Sequence, residues 1–255
     1  MKAVILAGGM GTRLSEETHS IPKPMVEIGG KPILWHIMKI YSHYGINDFI
    51  ICLGYMGYVV KEFFSNFILH NSDITFDLEN QTVNIHNTST EPWRVTLVDT
   101  GLESMTGGRL KKIRDYVGDD SFCMTYGDGL SDVDISEIIK FHNSHNALVS
   151  VTATPSPGRF GNLKIKNNKV HEFGEKVMSH SHMINGGFFV IDPKALDYVH
   201  DDMEAWETEP MERLVNDEQL MAYLHFGFWQ PMDTLREKHM LESLWQSGNP
   251  PWKTW

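Results

Sequence analysis

Residues 3–14 read "AVILAGGMGTRL", an apolar run that passes directly into a glycine-rich loop ending on Thr12 and Arg13. A short apolar run bounded by glycines predicts a buried strand whose C-terminal end opens into a loop, the place where open α/β sheets bind their ligands. The loop is not a dinucleotide fingerprint, because Leu14 stands where Gly9-Met10-Gly11 would require a third glycine. No lysine follows it as a Walker A loop demands. Gly8, Gly9 and Gly11 nevertheless let backbone N–H groups approach a phosphate or a base edge, and Arg13 can add a charge-assisted contact. The bland alternative is a glycine turn that only reverses the chain.

Outward from this loop, strand-like runs at 2–7, 48–53, 94–99, 122–126, 147–154, 187–191 and 220–226 alternate with helix-like stretches. The helical stretches fall at 33–45, 58–67, 108–118, 135–145, 193–199 and 235–248. The alternation predicts an α/β, Rossmann-like fold: a mainly parallel sheet with helices on both faces. Two β-hairpins interrupt it. "DITFDLENQTVNIHN" turns at Asn80-Gln81 and "NLKIKNNKVHEF" at Asn167-Asn168, where Asn tolerates positive φ. No repeat, low-complexity tract or linker divides the chain, so residues 1–255 are expected to form one domain with a β-hairpin insertion around 65–95.

The formal net charge of −11 argues against nucleic-acid and membrane-surface binding, both of which need extended basic patches. No apolar run is long enough to span a bilayer, and "MKAVILAGG" is broken by glycine too early for a signal peptide, which leads to a cytoplasmic expectation. Cys52 and Cys123 sit within apolar runs and read as buried hydrophobes.

Ten residues beyond Arg13, "PKPM" frames Lys23 with two prolines, which restrict its backbone and suit an ammonium aimed at a leaving phosphate. An ordinary solvated lysine is the competing reading. Asp128 in "TYGDG" follows a predicted strand, and Asp233 lies in "QPMDT". Either aspartate can be read as a turn former or helix N-cap. Other residues are available for that work: Asp134 has Glu137, and Thr234 has Glu237, three positions on.

"LAGGMGTRL" followed by "PKPMVEIGGKPIL" resembles the sugar-1-phosphate nucleotidyltransferases. "SMTGGRL", "TYGDG", "PGRFGNL", "INGGFFV", "GFWQPMDT" and "PPWKTW" are similar to motifs of the members that transfer a cytidylyl group. The resemblance covers nearly the whole chain. It implies CTP and glucose 1-phosphate as substrates, CDP-glucose and pyrophosphate as products, and Mg²⁺ held by Asp128 and Asp233. It implies a nucleotide site built from Leu6, Ala7, Gly8, Gly9, Met10, Gly11, Thr12, Arg13, Lys23, Ser104, Arg109 and Gly127, with Arg13 and Lys23 near the phosphates. Cytosine offers acceptors at O2 and N3 where uracil carries a hydrogen on N3, so Arg109 or a neighbouring backbone N–H is expected to read that edge. The competing reading of Arg109 is a solvated charge beginning the helix "GRLKKIRDYV".

The sugar-phosphate side is matched by Gly161, Glu175, Lys176, Asn185 and Gly186. Val177 stands where the family usually has proline, Ile21 where it tends to have lysine, and "MSHSH" is an unusual loop whose His180 and His182 read as polar rather than metal-binding. The implied reaction is direct in-line displacement, with no side-chain base or covalent nucleophile. The resemblance also implies a homo-oligomer, a hexamer among the candidates. UTP, dTTP or GTP in place of CTP, and a catalytically silent relative that binds nucleotide or sugar phosphate, are the competing readings.

Overall fold

The computed structural model describes residues 1–156, 162–166, 169–174 and 183–255; of Arg13, Ser15, Glu16 and residues 162–166 and 169–174 only backbone is described. Seven strands form the central sheet: β1 (Lys2–Ala7), β2 (Asp48–Leu53), β3 (Arg94–Asp99), β4 (Phe122–Tyr126), β5 (Val149–Pro155), β6 (Met183–Ile191) and β7 (Leu220–Leu224). Their order is β3-β2-β1-β4-β6-β5-β7. β1 runs parallel to both β2 and β4, β2 is parallel to β3, and β5 to β7, while β6 is antiparallel to its two neighbours. The expected mainly parallel sheet is what the chain forms. Strand order reverses at β1 and β4, which opens a crevice beyond their carboxyl ends.

Alternation along β1 divides the core between the two faces of the sheet. Ala3, Ile5 and Ala7 pack with Ile33, Leu34 and Ile37 of helix α1 (Ile33–His43), while Val4 and Leu6 face the opposite cluster. Helix α2 (Gly57–Ser65) follows β2, and α3 (Thr106–Lys112) lays Leu110 on the second face. Helix α4 (Ile135–Asn143) contributes Ile135 and Ile138 to the first face. Helix α5 (Glu209–Asn216) covers the second with Leu214, and α6 (Leu235–Gln246) returns to the first with Leu241. Cys52 and Cys123 are buried and free, their thiols pushed up to about 12 by burial.

Some elements depart from the sequence expectation. The helix expected at 108–118 starts at Thr106 and breaks at Ile113 before a short turn, Arg114–Val117; residues 193–198 form a 3₁₀ helix. Helix α5 was not anticipated, since "EPMERLVN" offers few apolar residues to reveal a period. The first hairpin pairs Ser72–Asp77 with Thr82–Thr88, and the positive φ falls on Gln81 rather than on asparagine, while Asn80 bonds back to the Asp77 carboxylate. Its Phe76, Leu78, Val83 and Ile85 are exposed. The second pairs Asn162–Lys166 with Lys169–Gly174; its Asn167-Asn168 turn lies outside the described residues.

The C-terminal "PPWKTW" packs within the subunit. Trp252 is fully buried, stacked between Trp245 and Phe228, and its indole N–H donates to His36 Nδ1 at 3.4 Å. His36 Nε2 lies 2.8 Å from the Ile28 carbonyl, which fixes Nε2 as the protonated nitrogen. Burial lowers the His36 pKa to about 4. The folded state therefore resists a proton that the unfolded chain accepts near its ordinary value of 6.5. Stability drawn from neutral His36 is present above that value and lost as pH falls toward 4, by about 3 kcal/mol at most. His36→Gln, which keeps a donor for Ile28, should show a shallower decline than wild type between pH 6.5 and 4.5 in urea unfolding midpoints.

Candidate active site

At the carboxyl end of β1 the glycine loop closes through three local bonds. Leu14 N–H donates to Gly11 O at 3.0 Å, and the buried Thr18 hydroxyl reaches Gly11 O and Leu14 O, both at 2.9 Å. Gly11 adopts φ +63°, the left-handed conformation that glycine takes without steric penalty. Gly8 is required for a different reason. A Cβ there would stand 2.2 Å from Arg109 Nη1, because the guanidinium packs against the loop at that point.

Arg109 is neither a solvated charge nor the first residue of its helix. It sits within α3, 5% exposed, and its guanidinium gathers the carboxyl ends of three parallel strands. Nη1 donates to Leu53 O at 3.0 Å, Thr100 Oγ1 at 2.7 Å and Gly101 O at 2.8 Å, while Nη2 donates to Gly8 O at 3.0 Å and Leu102 O at 3.3 Å. Both terminal amino groups thus bond to the scaffold. Neighbouring Ser104 gives its one donor to Thr100 O at 2.6 Å and accepts from Lys112 Nζ at 2.7 Å.

Below this clamp is a cavity of about 370 Å³. Of the sequence-predicted nucleotide residues, Leu6, Ala7, Gly8, Gly9, Gly11, Thr12, Lys23, Ser104, Arg109 and Gly127 line it, as does Asp128. Met10 is instead 48% exposed and outside the lining, and Arg13 contributes described backbone to the Thr12–Leu14 turn. Pro24, Met105, Thr106 and Tyr126 also border the cavity, and sequence reasoning missed them. The Tyr126 hydroxyl donates to Glu207, whose other oxygen accepts from Thr106 Oγ1 at 2.6 Å. Burial, reinforced by the Glu207 carboxylate, holds the Tyr126 phenol far above its ordinary pKa. Asn185 Nδ2 reaches the same hydroxyl at 3.3 Å, and Gly186 O accepts from the Trp229 indole at 2.6 Å. This network connects β6 to the cavity wall. Gly161, Glu175, Lys176, Val177, His180 and His182 lie outside the described residues.

The charged centre forms at the cavity edge. Asp128 directly precedes the strand Gly129–Ser131, which pairs antiparallel with Trp229–Pro231, and Met232 N–H donates to Asp128 O at 2.8 Å. Asp233 follows at the end of that ribbon. A full capping box then starts α6: Glu237 Oε2 accepts from Asp233 N and Thr234 N at 2.8 and 2.9 Å, and Glu237 N donates to Thr234 Oγ1 at 3.3 Å. Asp134 caps α4 through Glu137 N at 3.1 Å. Both caps are those the sequence suggested.

Lys23, in a 3₁₀ turn between Pro22 and Pro24, reaches both aspartates: its Nζ stands 2.6 Å from Asp128 Oδ2 and 2.6 Å from Asp233 Oδ1. Its side chain is 11% exposed. Burial pulls the Lys23 pKa down, and the two carboxylates, Asp128 foremost, more than offset that, leaving it above the ordinary lysine value. One ammonium thus faces two carboxylates. Two hard oxygen donors that one cationic group already touches suit a divalent cation whose remaining ligands come from phosphate and water. Among the described residues no group of three or more His, Cys, Asp or Glu side chains forms a metal cluster.

Comparison with known proteins gives a consistent result. Residues 2–234 match the family described as Nucleotidyl transferase. The chain is 59% identical over 256 residues, covering 100% of both sequences, to glucose-1-phosphate cytidylyltransferase of Salmonella typhimurium. It is 42% identical, again over 100% of both, to a probable glucose-1-phosphate cytidylyltransferase of Bacillus subtilis. Among solved structures, UDP-glucose pyrophosphorylase from Acinetobacter baumannii superposes with a TM-score of 0.71 at 18% identity, covering 98% of this chain and 95% of that one. HddC from Yersinia pseudotuberculosis gives 0.67 at 21%, covering 96% and 99%. These neighbours share the nucleotide-diphospho-sugar transferase fold.

The Arg109 clamp makes a prediction that a base-reading arginine does not. Arg109→Met leaves buried carbonyls at the ends of three strands without donors, a loss of about 3 kcal/mol. The melting temperature should fall by roughly 10 °C. An arginine acting on a base alone would weaken ligand binding at unchanged melting temperature, so calorimetry without ligand separates the two.

Proposed function

This chain belongs to the nucleotidyl transferase family, and on that premise we propose that it transfers a cytidylyl group from CTP to α-D-glucose 1-phosphate, giving CDP-glucose and pyrophosphate. Full-length identity with the Salmonella enzyme carries the choice of base and sugar. The Lys23–Asp128–Asp233 cluster beside the glycine-loop cavity supports the phosphoryl chemistry.

In this reading the whole chain acts as one catalytic domain. Backbone N–H groups of the loop from Gly8 to Thr12 donate to the triphosphate, with Arg13 and Lys23 neutralising its charge. A phosphate oxygen of the sugar 1-phosphate attacks the α-phosphorus of CTP in line; the new O–P bond forms as the bond to the β-phosphate oxygen breaks, and pyrophosphate leaves. The attacking phosphate is largely dianionic at neutral pH, its second pKa lying near about 6 by analogy with phosphoserine, so no side chain need remove a proton. The chain's task is to align two polyanions and offset their repulsion. Asp128 and Asp233 hold Mg²⁺, which when bound supplies positive charge to the phosphate oxygens. Asn185, Gly161, Glu175 and Lys176 serve the sugar phosphate. Asn185 is oriented for this by its bonds to Gly187 N–H and the Tyr126 hydroxyl.

No helix among the described residues is long and apolar enough to cross a membrane. The reading places the enzyme in the cytoplasm, where nucleoside triphosphates are made, as a homo-oligomer. The exposed apolar residues of the 72–88 hairpin form a surface such an assembly would cover. A catalytically silent relative would be expected to have lost charges that this chain retains at positions 13, 23, 128 and 233.

Purified protein supplied with Mg²⁺ and glucose 1-phosphate should release pyrophosphate chiefly with CTP when CTP, UTP, dTTP, ATP and GTP are compared. Predominant release with another nucleotide refutes the base assignment. Asp128→Asn and Asp233→Asn should each lower turnover roughly a hundredfold or more, with circular dichroism unchanged. Near-normal turnover in either variant removes that aspartate from the metal role.

A further inference from the structure

Lys23 occupies the ground between Asp128 and Asp233, and that position carries a consequence for how the active site is loaded. The ammonium makes a 2.6 Å contact to a carboxylate oxygen of each aspartate. A magnesium ion takes carboxylate oxygens at about 2.0–2.1 Å in an open octahedral shell, so it competes with the ammonium for Asp128 Oδ2 and Asp233 Oδ1. Two cations side by side there also repel each other in a partly buried setting where solvent screens poorly. A metal that takes these two oxygens displaces the lysine from them. Its backbone cannot travel far, because Pro22 and Pro24 frame it and Met25 N–H and Val26 N–H close the turn onto Pro22 O and Lys23 O. Movement is left to the four-carbon stem, and Lys23 lines the same cavity as Gly8, Gly9 and Thr12. The alternative partner for a displaced ammonium is accordingly an anion held by the glycine loop.

We propose that the Lys23 ammonium is a placeholder for the divalent cation, holding Asp128 and Asp233 together in the free enzyme and releasing them when nucleotide phosphates draw it away. Metal and nucleotide then enter as one unit, and the free enzyme binds metal weakly. This rests on the assignment of the cavity to a nucleotide. Once the ammonium has moved, the two carboxylates are left to attract a cation in its place. The same arrangement keeps two carboxylates from repelling each other before substrate arrives, so the metal site is held in shape by the residue it later displaces.

The test is a nucleotide-free titration of full-length protein with Mn²⁺, the free ion being read by electron paramagnetic resonance. Lys23→Met keeps most of the aliphatic stem and removes the charge. It should bind Mn²⁺ about tenfold or more tightly than wild type. Adding Asp128→Asn to Lys23→Met should abolish the gain, which locates the ion. A non-hydrolysable α,β-methylene analogue of CTP should tighten Mn²⁺ binding strongly in wild type and much less in Lys23→Met. Equal or weaker metal binding by Lys23→Met, or equal tightening by the analogue in both proteins, overturns the placeholder. If Lys23→Met fails to fold, Lys23→Gln enters the same titration with the same two outcomes. The titration without nucleotide fails separately from the pyrophosphate assay: absent turnover beside a tighter Lys23→Met site faults the assigned reaction, not the displacement of lysine by metal.

Discussion

A buried guanidinium holds the ligand end of this molecule in shape. Parallel strands that finish together leave carbonyl oxygens pointing into the loops beyond them, and buried carbonyls require donors. Arg109 supplies both terminal amino groups to Gly8, Thr100, Gly101 and Leu102, in the loops after β1 and β3, and to Leu53 at the end of β2. A charged group taken out of water is tolerated when its bonds are satisfied, and a planar fork meets several acceptors at once where an ammonium would not. The glycine at position 8 follows from this clamp as much as from any ligand, since a side chain there would occupy the guanidinium's place.

The acidic centre is built on a separate support. Asp128 and Asp233 stand at one end of a two-stranded ribbon, and the capping box of α6 fixes the backbone on the Asp233 side. A further tie, Lys238 to Glu17 at 2.6 Å, joins α6 to the short helix that follows the glycine loop. The glycine loop and the carboxylate pair are thereby registered against one another through regular structure. A site that must bring together two polyanions and a cation gains most from such fixed placement.

How much of this could be read from sequence differs by level. The strands were legible because parallel-sheet strands are apolar on both faces, and β1 is buried along nearly its whole length. The roles of Asp134 and Thr234 as caps were legible because capping is local in sequence. Helix α5 escaped notice because it is short, with Met211 and Leu214 among mostly polar neighbours. Lys23 was legible through its prolines, but its bond to both aspartates spans separations of 105 and 210 residues that no local pattern reports. The scaffold bonds of Arg109 were illegible for a related reason: its partners are mainly backbone oxygens, which leave no trace in side-chain identity. Tyr126 and Glu207 likewise meet only after the chain has folded, 81 residues apart.

The wide spacing of the charged cluster bears on how the protein is made. Synthesis runs from the glycine loop toward α6, so a chain still on the ribosome presents Lys23, and later Asp128, well before Asp233 exists. The ribbon strand that sets Asp233 beside Asp128 pairs residues 229–231 with 129–131, so it too waits for the final part of the chain. Incomplete chains therefore have the glycine loop without the paired carboxylates. Nascent and prematurely terminated products therefore lack the carboxylate pair that the proposed reaction uses.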